Sequence, residues 1–173
     1  MKKILVMVML LCSMCAVCLA KLEQPTDDRW IILYPQRGNI ETWGDVESIK
    51  YGNSTEAGHS GHKAVRVWTR SHFFKEQKRL LVLEEYDFDC ATVRMLKAMM
   101  YDDKGKFLVG DDKEEKHGKP IAPNTVSEDY MLLFAKLGSL KSDANAYAAY
   151  VEGLKKRTRN YKATGERFGS CLL

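Results

Sequence analysis

The chain has 173 residues, with 27 basic and 23 acidic side chains and a formal net charge of +4. A charge this close to balance argues against a nucleic-acid-binding protein, which usually shows a clear basic excess. The length corresponds to one ordinary domain, large enough to bury a substantial hydrophobic core.

The first 20 residues have the organisation of a cleavable secretory signal peptide. Lys2 and Lys3 precede an uninterrupted apolar run over residues 4–11, and Cys18-Leu19-Ala20 has small residues where a signal peptidase requires them. We expect cleavage after Ala20, because the apolar run is short for a membrane span of about 20 residues. The alternatives are an uncleaved anchor and a lipoprotein, although none of the three signal cysteines has a good lipidation context: Cys12, Cys15 and Cys18.

Cleavage would leave residues 21–173 as an exported domain in the periplasm or at the cell surface. It removes two basic and no acidic residues, so the net charge falls to about +2. No second long apolar stretch follows, so we expect no transmembrane span. Two cysteines remain, and an even pair in an exported protein predicts a disulfide between Cys90 and Cys171. Closing a loop of about 80 residues would contribute roughly 4 kcal/mol on the chain-entropy model. The alternative is two unrelated free thiols.

The first part of the mature domain predicts β-strands. Residues 30–34 form a β-rich run that stops at Pro35, and residues 41–50 predict a second strand. Residues 52–61 are rich in Gly, Ser, Asn and His, which is typical of a loop. Residues 64–70 alternate with a period of two, which indicates a strand. One face of that strand carries Val65, Val67 and Thr69.

A long hairpin region follows. Residues 80–90 predict a strand, and Glu84 on its apolar face suggests that the first part lies near an edge or rim. Residues 91–101 have helix-favouring composition, but their neighbours favour a strand, which is the structure that we predict. Residues 102–105 form a hairpin turn signal, and residues 106–109 can return as the partner strand. The apolar face of the first strand would carry Val82, Tyr86, Phe88 and Cys90.

The period changes to a helical one after Pro123. Thr125 and Glu128 form a capping box, and apolar residues at helical spacing continue to Gly138, where we expect the helix to end. A second helix opens at Ser142 or Asp143 and ends in a basic turn. The order of elements predicts an α+β fold, an antiparallel sheet followed by C-terminal helices packed on one face or end. Residues 21–138 would hold the sheet and first helix, and residues 139–173 the second helix and a basic tail of the same domain.

The sequence shows no catalytic constellation. His59 and His62 could approach one metal ion, but no carboxylate or cysteine lies beside them, so we interpret 59–62 as a solvated loop. There is no Gly-x-Ser-x-Gly nucleophile elbow, and the acidic pairs do not fit a calcium loop. We therefore expect no enzyme, metal or cofactor site. An enzyme would need a pocket that gathers His59, His62 or His72 with distant acids.

The basic end of the second helix has two interpretations. It could contact a polyanion, or it could complement the negative end of the helix dipole. The candidate contacts are Lys155, Lys156, Arg157, Arg159 and Lys162.

Several short motifs occur in an order that resembles that of the bacterial surface-adhesin protein E family. They are Trp30, Asp45-Val46-Glu47-Ser48-Ile49, Val65-Arg66-Val67-Trp68, Asp89-Cys90, Tyr101-Asp102 with Gly105, and Ile121-Ala122-Pro123. The resemblance covers roughly residues 30–137. It implies a small exported protein with an antiparallel sheet and a C-terminal helix, one that binds host extracellular-matrix or plasma proteins. No binding residue can be carried over.

This sequence departs from the family pattern at two points. It lacks a good lipidation site, and about 35 residues separate its last family-like helix from Cys171. We expect a non-enzymatic exported binding protein that contacts protein partners through its sheet and loops. The alternative is a periplasmic structural or accessory protein without a host ligand.

Overall fold

The computed structural model describes residues 24–164, except for the side chains of residues 36 and 37. Eight strands precede two helices, which confirms the predicted α+β fold. The predicted signal peptide and Cys171 lie outside the described residues. The elements are β1 (Trp30–Arg37), β2 (Ile40–Asp45), β3 (Lys50–Asn53), β4 (Lys63–Phe73), β5 (Lys78–Asp87), β6 (Thr92–Asp102), β7 (Phe107–Asp111), β8 (Lys119–Pro120), α1 (Val126–Leu140) and α2 (Ala144–Thr164).

All strand pairs are antiparallel, and the main path through the sheet runs β1-β2-β4-β5-β6-β7. The short strands β3 and β8 add to β4 and β6 respectively. Successive side chains alternate between two faces. The inner face carries Val65, Val67 and Tyr86, whereas the outer face carries Trp43, Arg70, Leu81, Glu85 and Asp87.

The main hydrophobic core lies between the inner face and the helices. Leu133, Phe134 and Leu137 of α1 are almost fully buried against the strands, and the ring of Phe134 lies 5.4 Å from that of Tyr86. The period-two alternation predicted for β4 is confirmed, since Val65 and Val67 are fully buried in this core. Helix α1 thus covers the inner face of the central strands.

Helix α2 lies along the β1 edge of the sheet. Leu154 joins the inner core, whereas Tyr161, about two turns later, packs with Ile32 and Trp43 on the outer face. Between them, the hydroxyl of Thr158 accepts a hydrogen bond of 2.9 Å from the backbone N–H of Ile32. The helix therefore protects an edge strand whose backbone groups would otherwise lack partners.

The first two strand predictions needed correction. Strand β1 continues through Pro35 to Arg37, which an edge strand with irregular register can accommodate because a proline costs no central ladder bond there. The predicted strand over residues 41–50 is two strands. Asp45 ends β2, since its side chain accepts hydrogen bonds from the N–H groups of Glu47 and Ser48 and folds the chain into a turn.

The predictions for the long hairpin were mixed. Strands over residues 91–101 and 106–109 are confirmed as β6 and β7. The predicted strand to Cys90 is wrong at its end, because β5 stops at Asp87 and Cys90 lies exposed in the following turn. Strand β5 is also central rather than near an edge. Glu84 is accommodated on the inner face by hydrogen bonds from the hydroxyls of Thr69 and Tyr86.

The helix starts were predicted correctly and the ends were not. Thr125 caps α1 as expected, and the side chain of Asp143 accepts N–H bonds at the start of α2. Gly138 does not end α1, which continues to Leu140. A glycine is needed there because a Cβ atom would lie 2.7 Å from Cε1 of Tyr51. Helix α2 runs on to Thr164, so Lys162 alone of the basic residues lies in its last turn.

Neither α1 nor α2, the two helices in the described part of the chain, combines the length and apolarity required to cross a bilayer.

Candidate metal centre

Four potential metal ligands converge at one end of the outer face. Two come from the loop between β3 and β4, His59 and His62. The other two come from the end of β5 and the turn after it, Asp87 and Cys90. One ligand atom from each side chain lies within 4.8 Å of all the others.

The contacts within this cluster, which we call the His-His-Asp-Cys cluster, are short. Oδ2 of Asp87 lies 2.9 Å from Nδ1 of His59 and 3.1 Å from Nδ1 of His62. The sulfur of Cys90 lies 3.5 Å from the same nitrogen of His62. The two imidazole rings lie side by side with their centroids 4.7 Å apart.

The β4–β5 hairpin brings the two halves together. Ala64 of β4 pairs with Asp87 of β5. His62, just before β4, and the turn with Cys90, just after β5, are therefore neighbours at the same end of the sheet. The pairing extends beyond the strands, because the N–H of Lys63 donates to the side chain of Asp89 and the N–H of Phe88 to the carbonyl of Lys63. The register of one hairpin therefore determines that the two halves meet.

The carboxylate of Asp87 divides its two oxygens between two tasks. Oδ1 accepts the N–H groups of Asp89 and Cys90 at 3.0 and 3.1 Å, which fixes the turn. Oδ2 faces the imidazoles. Burial would raise the pKa of Asp87, but these backbone and imidazole hydrogen bonds outweigh burial and lower the pKa. The carboxylate is thus ionised and held with one oxygen directed at both histidines.

The loop that carries the histidines is attached to the sheet through buried Glu85. The carboxylate of Glu85 accepts hydrogen bonds from Ser54 and Thr55 in the loop and from the guanidinium groups of Arg66 and Arg94. Burial would raise the pKa of Glu85, but the arginines and Thr55 lower it to about 2. This charged network lies beside the His-His-Asp-Cys cluster on the same face and holds the loop in place.

Glu56 forms the outer boundary of the cluster. Its buried carboxylate lies 3.5 Å from Nδ1 of His59 and 3.4 Å from Nδ1 of His117, and it accepts the N–H of Gly118 at 3.1 Å. Glu56 therefore places a second carboxylate beside the same nitrogen of His59 that faces Asp87, at the margin of the cluster.

The set of donors suits zinc and related transition ions. Two imidazoles, one thiolate and one carboxylate are ligands that Zn²⁺ binds in four-coordinate tetrahedral sites. Zinc bond lengths of about 2.0–2.3 Å imply ligand–ligand separations of roughly 3.3–3.8 Å. Separations in the cluster begin at 2.9 Å and stay within 4.8 Å, so shifts of about 1 Å or less would give tetrahedral geometry.

Electrostatics at Cys90 also favour a cation. Desolvation raises the pKa of the Cys90 thiol, and the charges of Asp87, Asp89 and Glu56 raise it further. A divalent ion reverses this effect because it binds the thiolate and displaces the proton.

The prediction of a solvated loop without a metal site overlooked this arrangement. In the sequence His59 and His62 have neither Asp87 nor Cys90 beside them, because Asp87 follows His62 by 25 positions. The signal was nevertheless present as two pairs with the same spacing, His-x-x-His before one predicted strand and Asp-x-x-Cys at the end of the next. Pairing those two strands as a hairpin would have brought the four residues together. His72, the other histidine considered, is buried elsewhere, beside Glu41.

The predicted polyanion contacts on α2 differ in their exposure and in their intramolecular partners. Arg159 forms ion pairs with Glu152 and Asp28, and Lys162 donates to the carbonyl of Pro25 above the ring of Trp43. Lys156 is exposed, whereas Lys155 and Arg157 are half-buried. The polyanion contact stays a prediction, and Arg159 and Lys162 already have the intramolecular partners named above.

The predicted disulfide also stays a prediction, because Cys171 lies outside the described residues. Cys90 is the one cysteine that the described residues contain, and its thiol is free and exposed. The His-His-Asp-Cys cluster is therefore described from the positions of its own four side chains.

Comparison of the chain with protein-family models, with curated proteins and with solved structures finds no match.

Proposed function

We propose that this protein binds a transition-metal ion, most favourably Zn²⁺, through His59, His62, Asp87 and Cys90. The observation that carries the proposal is the convergence of four donors of zinc-binding type within 4.8 Å. Exposed acidic clusters commonly lack a metal, but here the carboxylate is almost fully buried and faces two imidazoles. All four donors come from the protein, which is the pattern of a structural or metal-carrying site rather than a catalytic one with an open position. We therefore also propose that the protein is not an enzyme.

Metal titration tests this proposal. The mature chain, residues 21–173, is reduced, freed of metal with a chelator and titrated with Co²⁺ as a spectroscopic substitute for Zn²⁺. We expect one equivalent to bind, with the intense visible bands of a tetrahedral ion and a thiolate charge-transfer band. Zn²⁺ should then displace Co²⁺.

Matched variants identify the ligands. His59→Ala should weaken binding by at least about 10-fold, and Cys90→Ser should abolish the charge-transfer band. His117→Ala removes an imidazole that lies outside the cluster, so its titration should match the parent chain. Binding that survives His59→Ala and Cys90→Ser, or a stoichiometry near zero in the reduced chain, would show that the cluster is not a metal site.

The predicted disulfide and the metal compete for Cys90. A disulfide between Cys90 and Cys171 would leave two imidazoles and one carboxylate as the metal ligands. The site would then prefer zinc less strongly. Repeating the titration with Cys171→Ser, which cannot form this bridge, separates the two outcomes. A metal-binding protein should take up the ion at least as well in this variant.

We propose, as a second function, that the protein is exported and binds protein partners, as the resemblance to surface-adhesin protein E implies. Cleavage after Ala20 would place Lys21 at the mature N-terminus, which N-terminal sequencing of the exported chain tests. The structural support is β7, the last strand in the order of the described sheet, where three apolar side chains are 44–58% exposed: Phe107, Leu108 and Val109. Exposed apolar edge strands commonly mark sites where another chain adds.

Solid-phase binding to extracellular-matrix and plasma proteins tests the second function. Leu108→Ser with Val109→Ser should reduce binding, whereas Leu132→Ser, which alters an exposed leucine of α1, should not. Equal binding by both variants would show that β7 is not the contact with the partner. No binding to any matrix or plasma protein would favour the alternative of a periplasmic accessory protein.

A further inference from the structure

We propose that the outer face of the sheet also binds a small organic anion, in a cleft at the opposite end from the His-His-Asp-Cys cluster. The cleft has a volume of about 290 Å³ and is lined by Trp30, Arg70, Arg79, Leu81, Tyr101 and Gly105. Arg79 and Asp87 lie at the two ends of β5, which separates the cleft from the metal ligands by about 27 Å. The inference is therefore independent of the proposed metal site.

The cleft combines two cationic side chains with apolar walls. Arg70 lies on β4 opposite Leu81, and Arg79 lies opposite His72, so the two arginines are diagonal neighbours on adjacent strands. None of the six lining residues is acidic. The Arg79 guanidinium, the two aromatic rings and Leu81 line the same cleft, so an anion with an apolar body would meet a cation and apolar surface together there.

Arg79 is held in position by neutral groups. Its guanidinium donates to the backbone carbonyls of Asp102 and Asp103, at 3.3 and 2.8 Å. These carbonyls belong to the turn region that also contains Gly105, where an added Cβ would lie 3.4 Å from the guanidinium. The bonds orient the side chain but leave its positive charge available to a ligand.

Arg70 is oriented by a buried histidine. Its Nε donates to Nε2 of His72 at 2.8 Å, and the ring of His72 is fully buried. The histidine therefore accepts as a neutral imidazole. Arg70 is thus directed along the outer face by a group whose position the fold determines.

The walls determine the shape of the ligand. Trp30 and Tyr101 contribute aromatic rings and Leu81 an aliphatic surface. A volume near the lower limit of about 300 Å³ for ligand pockets suits one or two rings rather than a large cofactor. The class of ligand is therefore a planar aromatic carboxylate or another compact anion with an apolar body.

Calorimetry with a matched pair of probes tests this inference. The mature chain is titrated with 2-naphthoate and, separately, with the neutral analogue 2-naphthalenemethanol. We expect saturable 1:1 binding of the naphthoate and at least about 10-fold weaker binding of the alcohol. Added salt should weaken the binding of the naphthoate but not that of the alcohol, since salt screens the charge of the ligand.

Three variants locate the site. Arg79→Gln should weaken naphthoate binding by about 10-fold, while Arg79→Lys, which keeps the charge but not the planar donors, should have a smaller effect. Lys97→Gln removes a charge from the same face outside the cleft, so binding should not change. The urea midpoint of each variant shows whether it is folded. Equal affinity for the two probes in the parent chain, no binding of the naphthoate, or equal losses in Lys97→Gln and Arg79→Gln would overturn the inference.

Discussion

The hydroxyl of Tyr161 near the end of α2 donates a hydrogen bond of 2.6 Å to the carboxylate of Glu41, which is fully buried on β2. The other carboxylate oxygen accepts the indole N–H of Trp43 at 2.7 Å. A carboxylate buried in this way is tolerated because its oxygens have donors. The last turns of α2 are thus attached to the outer face by a polar contact as well as by packing.

Removing the hydroxyl should destabilise the fold. Tyr161→Phe keeps the ring packed but leaves a buried carboxylate oxygen short of a donor, at a cost of about 1–3 kcal/mol. Urea denaturation at neutral pH measures the change in the free energy of unfolding. Tyr150→Phe, at a half-buried tyrosine of the same helix, is the control and should change it by less than about 0.5 kcal/mol. Equal effects of the two substitutions would show that the bond to Glu41 contributes little.

The two glycines within the helices should respond to alanine in opposite ways. Gly138→Ala would place a Cβ atom 2.7 Å from Cε1 of Tyr51, whose hydroxyl is bonded to the carbonyl of Phe134 and which cannot easily move. We expect a loss of about 1–3 kcal/mol from overpacking. Gly153 in α2 has nothing within 4 Å of an added Cβ, so Gly153→Ala should stabilise by up to about 1 kcal/mol. Thermal unfolding of the two variants measures both effects. A shift of the two unfolding midpoints in the same direction would contradict this expectation.

The stability of the fold should depend on pH through Glu85. Its pKa is lowered to about 2 in the folded chain, whereas an unfolded glutamate titrates near 4.3. A lowered folded pKa contributes stability above the unfolded value, and that contribution is lost as pH falls from about 5 toward 2. The shift corresponds to as much as about 3 kcal/mol.

Urea midpoints at pH 7 and pH 3 for the parent chain and Glu85→Gln measure this contribution. The substitution should lower stability at pH 7 and should reduce the loss between pH 7 and pH 3. Glu47→Gln, at an exposed position in the turn after β2, serves as the control. An unchanged pH dependence in Glu85→Gln would assign the acid sensitivity to other carboxylates.

Much of the fold could be predicted from local sequence patterns. The alternation over residues 64–70 and the cap at Thr125 identified elements correctly, because burial of one face and satisfaction of helix N–H groups act over short distances. The end of α1 was mispredicted at Gly138, because the contact with Tyr51 comes from a distant strand. Local chemistry cannot distinguish a glycine that ends a helix from one that makes room for a ring.

The proposed metal site could not be predicted for a related reason. His62 and Asp87 meet only because Ala64 pairs with Asp87, and period-two alternation does not determine which residues of two strands face each other. The buried position of Glu41 could not be predicted either, since its partners Tyr161 and His72 come from α2 and β4. Sequence reasoning finds the residue types that chemistry needs, but the register of the sheet decides which of them meet.

Zinc should protect Cys90 from alkylation. In a chain of residues 21–173 that carries Cys171→Ser, Cys90 is the one remaining cysteine and its thiol is exposed, so iodoacetamide should modify it readily. Bound Zn²⁺ removes the thiolate from reaction, because the sulfur lone pairs are shared with the metal. Mass spectrometry of timed samples should show at least about 10-fold slower labelling with one equivalent of Zn²⁺, restored by a chelator. His59→Ala keeps the cysteine but removes a ligand, so zinc should protect it much less. If zinc slows labelling equally in His59→Ala and in its parent, the ion is bound by the thiol without the histidine, and the four-residue site is refuted.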